Sequence, residues 1–243
     1  MQNVKTIKTL KIALILAVLS NVLFWFYSRD VRSQWLNIPP VPSTFSALST
    51  TLGDQQFASR VISMMIQNFG STGGRVTPIK NYDFEKLGDW MMLHYRLDPK
   101  SSITPFMAAY YFGASQDPTK IRPIIEYLRV AGNSAEGERW RWLAQAVYLA
   151  RFKLKDLDLS LEMAYDLAAI PKDDYPVWAK QMPANILNQQ GEKEAALQMM
   201  LSILNDKADK LHPNEVNGMV AYICEQILDP AEAKTHDLCV DLK

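Results

Sequence analysis

The feature that most constrains this chain is an uncharged run of sixteen residues near its start, Ile12–Tyr27. As a helix this run is about 24 Å long, slightly shorter than the roughly 30 Å hydrocarbon core of a bilayer. Snorkelling of the long side chains of Lys11 and Arg29 closes the difference. The run therefore predicts a transmembrane helix over 12–28, preceded by a short N-terminal segment over 1–11.

A cleaved signal peptide is the competing interpretation, because it has the same basic start and apolar centre. Cleavage requires small residues at the end of the apolar stretch, whereas this stretch ends in Phe24, Trp25, Phe26 and Tyr27. Aromatic residues of this kind are typical of the interface between bilayer and water. We therefore favour a retained single-pass anchor.

Basic residues predict the orientation of the anchor. Lys5, Lys8 and Lys11 precede the span, whereas the two arginines that follow it are separated by Asp30. This bias favours a cytoplasmic N-terminus. We expect a bacterial inner-membrane protein whose C-terminal domain lies in the periplasm.

A change of composition follows the anchor. Pro39, Pro40 and Pro42 lead into a stretch rich in serine and threonine. Proline favours extended backbone and cannot donate the hydrogen bonds of a helix. The segment 29–52 is therefore predicted to be a linker. The remaining residues, 53–243, are enough for one domain with a sizeable core.

The charge balance limits the possible partners. The chain has 26 basic and 26 acidic residues, so it lacks the positive surplus that nucleic-acid phosphates require. Its two cysteines, Cys224 and Cys239, are fifteen residues apart and would form a disulfide in an oxidising compartment. Two buried free thiols are the alternative. Their spacing gives no zinc pattern, and we expect no metal and no cofactor.

Helical periodicity extends over nearly the whole body, and no alternating run is long enough for a strand. Thr104, Asp117 and Asp229 each precede a proline, a pairing typical of helix starts. The sequence therefore predicts an all-α fold. The predicted helices cover residues 54–69, 83–97, 104–114, 118–131, 135–152, 156–170, 175–190, 192–206, 213–228 and 230–238.

The helix that begins near Trp140 is apolar on two sides, so it is expected to lie between two neighbours. A short loop joins it to the next helix and predicts an antiparallel hairpin. Trp178 opens a further helix 38 residues after Trp140. Helix pairs that recur at such an interval are typical of a solenoid.

These residues resemble the tetratricopeptide-repeat family, in which a large aromatic residue opens the first helix and small residues allow close packing of the second. One copy of the pattern comprises Trp140, Leu143, Ala144, Leu161, Tyr165, Ala168 and Pro171. A looser copy comprises Trp178, Gln181, Met182, Ala196, Met200 and Ile203. The resemblance covers about 104–228. It implies an antiparallel helix-hairpin solenoid, capped by the helix pair within 54–97.

The resemblance also implies that first helices present side chains to a protein or peptide. In the Trp140 helix, the residues outside both apolar faces are Arg141, Gln145 and Tyr148, with Arg151 one turn beyond. We therefore expect a protein-interaction scaffold or assembly factor of an envelope complex, not an enzyme. Its partners would be other envelope proteins or peptides, and the sequence leaves its oligomeric state open.

Two other functions remain as alternatives. One is a membrane-tethered enzyme of envelope glycan or lipid metabolism, with Asp83 and Glu85 as its carboxylates. The other is a carrier of a lipid or small molecule with a cavity among the helices. His94, His212 and His236 lack the spacing of metal ligands, so we expect them to have packing or surface roles.

Overall fold

The computed structural model describes residues 2–29, 38–72, 75–171, 175–207 and 211–240. It divides the chain into two compact units, Met1–Leu36 and Asn37–Lys243. The second unit is called the body below.

The first unit contains helix α1, Gln2–Ser28, whose apolar part Thr9–Ser28 is long enough to cross a membrane. It is the one such helix in the described part of the chain. Asn21, which follows Ser20 in the middle of this apolar part, donates to the carbonyl of Ala17 at 2.9 Å, so its amide has a partner within the helix. At the end of the helix, the Arg29 guanidinium lies 4.1 Å from the centre of the Phe26 ring.

The body is helical, as the periodicity predicts, apart from one pair of two-residue strands among the described residues. The strands β1 and β2 are Ser71–Thr72 and Arg75–Val76, paired antiparallel, so the expectation of no strand was wrong at this position. The helices are α2 (Thr44–Ser49), α3 (Gln55–Asn68), α4 (Phe84–Leu97), α5 (Ile103–Met107), α6 (Arg122–Gly132), α7 (Trp140–Tyr148), α8 (Leu157–Ala168), α9 (Val177–Gln190), α10 (Lys193–Lys207), α11 (Pro213–Tyr222), α12 (Pro230–Ala233) and α13 (Asp237–Val240).

Three of these helices end in a π-helical turn. Helix α5 continues as Ala108–Phe112, α7 as Leu149–Leu154 and α11 as Ile223–Ile227. A π turn contains one residue more than an α turn and is frequent at functional sites. In each of these helices it changes the direction in which the last side chains point.

Helices that follow one another in the chain pack together, from α3 against α4 to α9 against α10. Short loops make each pair antiparallel. We call α3, α5, α7, α9 and α11 the first helices of five hairpins. Their second helices are α4, α6, α8 and α10, and the fifth hairpin ends with α12 and α13.

Polar side chains connect neighbouring hairpins. Arg129 on α6 binds Glu162 and Asp166 on α8, both at 2.7 Å, and Lys193 on α10 pairs with Asp229 before α12. These contacts join residues 33 to 37 positions apart, close to the interval between one hairpin and the next. The hairpins of the body therefore form contacts mainly with their neighbours in the chain.

Trp140 lies where two hairpins meet. It is 2% exposed, and its ring is 5.2 Å from that of Tyr175 and 5.5 Å from that of Trp178. Both partners belong to the start of the next hairpin. The two-sided apolar pattern of the helix therefore predicted the burial of Trp140 correctly.

The predicted linker differs from the structure in its second half. Ile38 is buried, the carbonyl of Pro39 accepts a hydrogen bond from Trp90 Nε1 at 2.9 Å, and α2 contributes the buried Ala47. Residues 38–52 therefore belong to the body, because the Trp90 indole and the outer side of α3 are covered by this segment. Residues 30–37 of the predicted linker lie outside the described residues.

One predicted helix start was also wrong. Thr104 lies inside α5, is buried, and its hydroxyl contacts His94 Nδ1 at 3.0 Å. The helix begins after Ser102 instead. Because the Thr104 hydroxyl has the histidine as a partner, it does not cap the helix. Asp229 does lie at the N-terminal cap of α12, whereas Asp117 caps only a 3-10 turn, Pro118–Lys120, and the predicted helix begins later, as α6 at Arg122.

Candidate partner-binding face

Helix α7 holds three of the four residues that the sequence proposes for binding, and the π turn that follows it holds the fourth. Arg141 and Tyr148 are exposed, whereas Gln145 and Arg151 are partly buried. The Arg141 guanidinium lies 4.7 Å from the centre of the Trp140 ring and pairs with Glu138. Contact with the aromatic ring orients Arg141 along the surface of the helix.

Arg151 has a different environment, since it lies in the π turn of α7. Its Nε donates to Gln189 Oε1 on α9 at 2.6 Å, and its guanidinium lies 4.8 Å from the centre of the Phe152 ring. Burial lowers the pKa of Arg151, and the nearby Tyr222 opposes this effect. Arg151 therefore connects two first helices as well as contributing to the surface.

The same face continues onto α11. Asn188 of α9 donates both to the Tyr222 hydroxyl and to the carbonyl of Gln226, each at 3.2 Å. Together with the bond between Arg151 and Gln189, these contacts join the successive first helices α7, α9 and α11 to one another. The polar residues on this side hold the helices in register.

Four half-exposed aromatic residues, which we call the aromatic face, stand out on the first helices of the second and third hairpins. Phe106 and Tyr110 have ring centres 5.1 Å apart, and Tyr148 and Phe152 have ring centres 5.0 Å apart. In each pair the first residue precedes a π turn and the second lies within it, and about half of the surface of each of the four residues is exposed. Each member of one pair lies 42 residues from its counterpart in the other. The face is therefore a repeated feature of the body.

A groove adjoins the first of these pairs. Tyr110 and Tyr111 form one wall, and Pro78, Ile79 and Lys80 form the other, around a volume of about 350 Å³. The groove combines aromatic surface with one lysine. Such a combination suits an apolar or aromatic side chain of a partner that is flanked by an acidic group.

The sequence predicted Tyr148 as part of this face but missed Phe106 and Phe152. Their exposure depends on which side of each helix faces the neighbouring hairpin, and periodicity alone does not reveal this. The two aromatic pairs with i, i+4 spacing were the available signal. Exposed pairs of this kind stack on a helix surface without filling a core.

A second groove, of about 490 Å³, lies between α8, α9 and α10. Tyr165 of α8, Pro183 of α9 and Met199 of α10 line it. Helix α9 runs unbroken through Pro183, which is buried. None of its lining residues belongs to the aromatic face, and no sequence pattern predicted this groove.

One of the two carboxylates that the enzyme alternative requires has a structural role. Asp83 caps α4 by accepting from the backbone of Lys86 at 3.1 Å, and it pairs with the Lys86 amine at 2.8 Å. These bonds lower the pKa of Asp83, whereas a general acid needs a raised one. Within the described ranges, no group of three or more histidine, cysteine or acidic residues could hold a metal ion.

His94 contacts two hydroxyl groups but is closed to solvent. Its Nε2 lies 3.1 Å from the Ser59 hydroxyl, and its Nδ1 lies 3.0 Å from that of Thr104. All three residues are buried, so no substrate has access to them. Burial also lowers the pKa of His94. The cluster joins α3, α4 and α5 and therefore serves packing.

Cys224, in the π turn of α11, and Cys239, in α13, form a disulfide in the structure. Their Cα atoms are 5.8 Å apart, which lies within the usual range for such a bond. The bond ties α13 to the π turn of α11, the first helix of the fifth hairpin.

No protein-family model, no curated protein and no solved structure matches this chain.

Proposed function

We propose that this protein is a single-pass, membrane-anchored scaffold or assembly factor with a TPR-like repeat body that binds another envelope protein or peptide. The anchor would hold it in a bacterial inner membrane, with the body in the periplasm. The aromatic face, together with Arg141, would carry the binding. Turnover of a substrate is not part of this proposal.

The observation that carries the proposal is the aromatic face itself. Phe106, Tyr110, Tyr148 and Phe152 expose about half of their surface on two successive first helices, although each helix buries its other sides. Tyrosine and arginine are enriched among residues that dominate binding energy, and aromatic residues are enriched at interfaces generally. Repetition at one interval of 42 residues indicates an extended surface that suits an extended partner.

The pattern of contacts between hairpins supports the repeat-like reading. Neighbouring hairpins bind one another through residues 33 to 38 positions apart, close to the 38-residue interval between Trp140 and Trp178. Stacking of this kind leaves the exposed sides of several first helices available for binding a partner.

The carrier alternative would need an enclosed apolar cavity of sufficient size, whereas the groove of about 490 Å³ between α8, α9 and α10 is open to the surface and the most apolar of the described pockets is small. That pocket, between α2, α3 and α4, has a volume of about 200 Å³. Sites for small ligands usually measure about 300 to 1,000 Å³.

Photo-cross-linking tests the binding proposal. A benzophenone amino acid at position 148 of the full-length protein, in its native membrane, should cross-link to a protein partner. The matched control is position 165, since Tyr165 is also about half exposed but lies on α8, away from the aromatic face. Equal cross-linking from both positions, or none from 148, would contradict the proposal.

A pair of variants separates binding from folding. Tyr148→Ala with Phe152→Ala should abolish cross-linking from position 106 on the neighbouring helix, while Tyr165→Ala should preserve it. Circular dichroism and the unfolding midpoint should change little in either variant, because the replaced rings are about half exposed. A double variant that unfolds would show that the rings belong to the core.

Labelling tests the proposed orientation. Gln198 is exposed on α10, so a cysteine placed there should react with a membrane-impermeant maleimide added to intact spheroplasts. Reaction only after lysis would place the body in the cytoplasm.

A further inference from the structure

We propose that the outer side of the first hairpin docks on the lipid surface beside the anchor. This docking face consists of Phe45 on α2, Leu52 in the following turn, and Phe57 and Met64 on α3. The inference rests on the membrane anchoring proposed above, and it concerns a different surface from the aromatic face.

The docking face is exposed and apolar. Phe45 on α2 is 81% exposed, and Leu52 in the turn that follows α2 is 98% exposed. On α3, Phe57 and Met64 are seven residues apart and are each more than half exposed. Exposed apolar residues that cluster on neighbouring elements mark an interaction surface, whereas single ones do not.

The backbone holds Leu52 in its projecting position. Its φ angle of 54° lies in the left-handed region, which is uncommon for a leucine. The turn is held by Gly53, whose N–H donates to the carbonyl of Leu48 at 2.8 Å, and by Thr51, whose hydroxyl donates to the same carbonyl at 3.1 Å. Strained residues are frequent at functional sites, so the fully exposed Leu52 supports a contact at this turn.

The surrounding sequence is poor in charge. Among the 31 residues of the range 38–68, only Asp54 and Arg60 are charged, whereas 21% of the whole chain is. Serine and threonine supply most of the polar groups of α2 and its flanks. A surface that faces water normally carries more charge, and an apolar face flanked by uncharged polar groups suits the interfacial region of a bilayer.

The covalent connection brings this surface within reach of the bilayer. Eight residues, 30–37, separate the end of the described anchor from Ile38, the first described residue of the body. Fully extended, this connection spans at most about 30 Å. Residues 38–68 begin directly after it, so they are the part of the body most restricted to the neighbourhood of the membrane.

The position of α3 in the body gives a further reason. A terminal repeat needs a polar outer side when it faces water, because no further repeat covers it. Helix α3 is the first helix of the first hairpin, and α2 covers its outer side only in part, leaving a pocket of about 200 Å³ between α2, α3 and α4. The remaining apolar surface is therefore not covered by a further hairpin. The short connection to the anchor keeps this surface near the bilayer, so lipid would cover it.

Environment-sensitive fluorescence tests the proposal with the full-length chain in liposomes of phosphatidylethanolamine and phosphatidylglycerol. NBD would be attached to Leu52→Cys, to Met64→Cys or, as a control, to Gln198→Cys on α10. Cys224 and Cys239 are joined in the disulfide and do not react without a reductant. Flotation with the liposomes first establishes that the anchor is inserted, so failure of anchoring is distinguished from failure of docking.

Docking predicts that NBD at positions 52 and 64 shifts its emission to shorter wavelength and is quenched by doxyl-labelled lipid, whereas NBD at position 198 is not. Phe45→Ser combined with Phe57→Ser should return the label at position 52 to an aqueous spectrum. Labels in inserted protein that remain in water would overturn the proposal. So would a blue shift without lipid quenching that depends on the ratio of protein to lipid, because a second copy would then cover the face.

Discussion

Trp140→Ala tests whether the hairpins are coupled at the start of α7. Trp140 is 2% exposed and contacts Tyr175 and Trp178 edge-on or at a tilt. Truncation of a buried tryptophan to alanine costs about 3 to 5 kcal/mol of unfolding free energy. No described residue accepts a hydrogen bond from Trp140 Nε1, so the cost arises from lost apolar contacts and the cavity.

Two further variants test whether this loss of unfolding free energy arises from the burial of the Trp140 ring. Trp140→Phe keeps a ring in the site and removes the unpaired buried N–H, whose burial is unfavourable by about 1 to 3 kcal/mol. We therefore expect it to cost less than about 2 kcal/mol. Trp178→Ala is the matched control, because Trp178 is 41% exposed and its truncation should cost clearly less than that of Trp140.

Urea unfolding of residues 37–243 measures these differences, since this range is a compact unit and keeps Ile38 in the core. Hydrogen exchange then locates the loss. In a chain of hairpins stabilised by their neighbours, amide protection should decrease first in α7, α8 and α9, and later in α3 and α4. An unchanged midpoint for Trp140→Ala, or an equal loss for Trp178→Ala, would refute the coupling.

Three further predictions concern a close contact, the disulfide and the buried histidine. Gly132→Ala should destabilise the body by about 1 to 3 kcal/mol, because a Cβ there would overlap the backbone of α7. Gly218→Ala, on an open stretch of α11, should instead stabilise it by about 0.5 to 1 kcal/mol. Equal unfolding midpoints in urea for the two variants would contradict the packing of α6 on α7. Cys224→Ser should cost about 3 kcal/mol under oxidising conditions and nothing in the presence of a reductant. Burial lowers the pKa of His94, so this residue binds a proton less readily in the folded protein than in the unfolded one. The free energy of unfolding should therefore be constant above about pH 6.5 and decrease below it. His94→Gln should flatten this decrease in unfolding midpoints measured from about pH 8 to about pH 5.

The sequence predicted the helices well because their apolar spacing and end signals are local. Helix α3 was expected at 54–69 and is Gln55–Asn68, and α10 was expected at 192–206 and is Lys193–Lys207. The burial of Trp140 followed from the same periodicity, since a helix that is apolar on two sides must lie between two neighbours.

Features that depend on contacts between hairpins could not be predicted. The bond between Arg151 and Gln189 joins residues 38 positions apart, and the π turn that directs Arg151 towards α9 has no sequence signal. The proline-rich segment was expected to be extended and unpacked. Its Pro39 carbonyl instead accepts the Trp90 indole N–H, a partner 51 residues away.

The two ends of the row of hairpins are closed in different ways, and the difference bears on where the body can function. Helices α12 and α13 have only four residues each and contain no buried residue, and the disulfide between Cys224 and Cys239 ties α13 covalently to the π turn of α11. Such a bond persists in an oxidising compartment and is reduced in the cytoplasm. At the other end, the proposed docking face needs lipid to cover it. A body oriented towards the periplasm satisfies both requirements at once, whereas a cytoplasmic body would keep the membrane contact and lose its C-terminal closure. Orientation and the redox state of the two cysteines should therefore agree in any experiment that measures both.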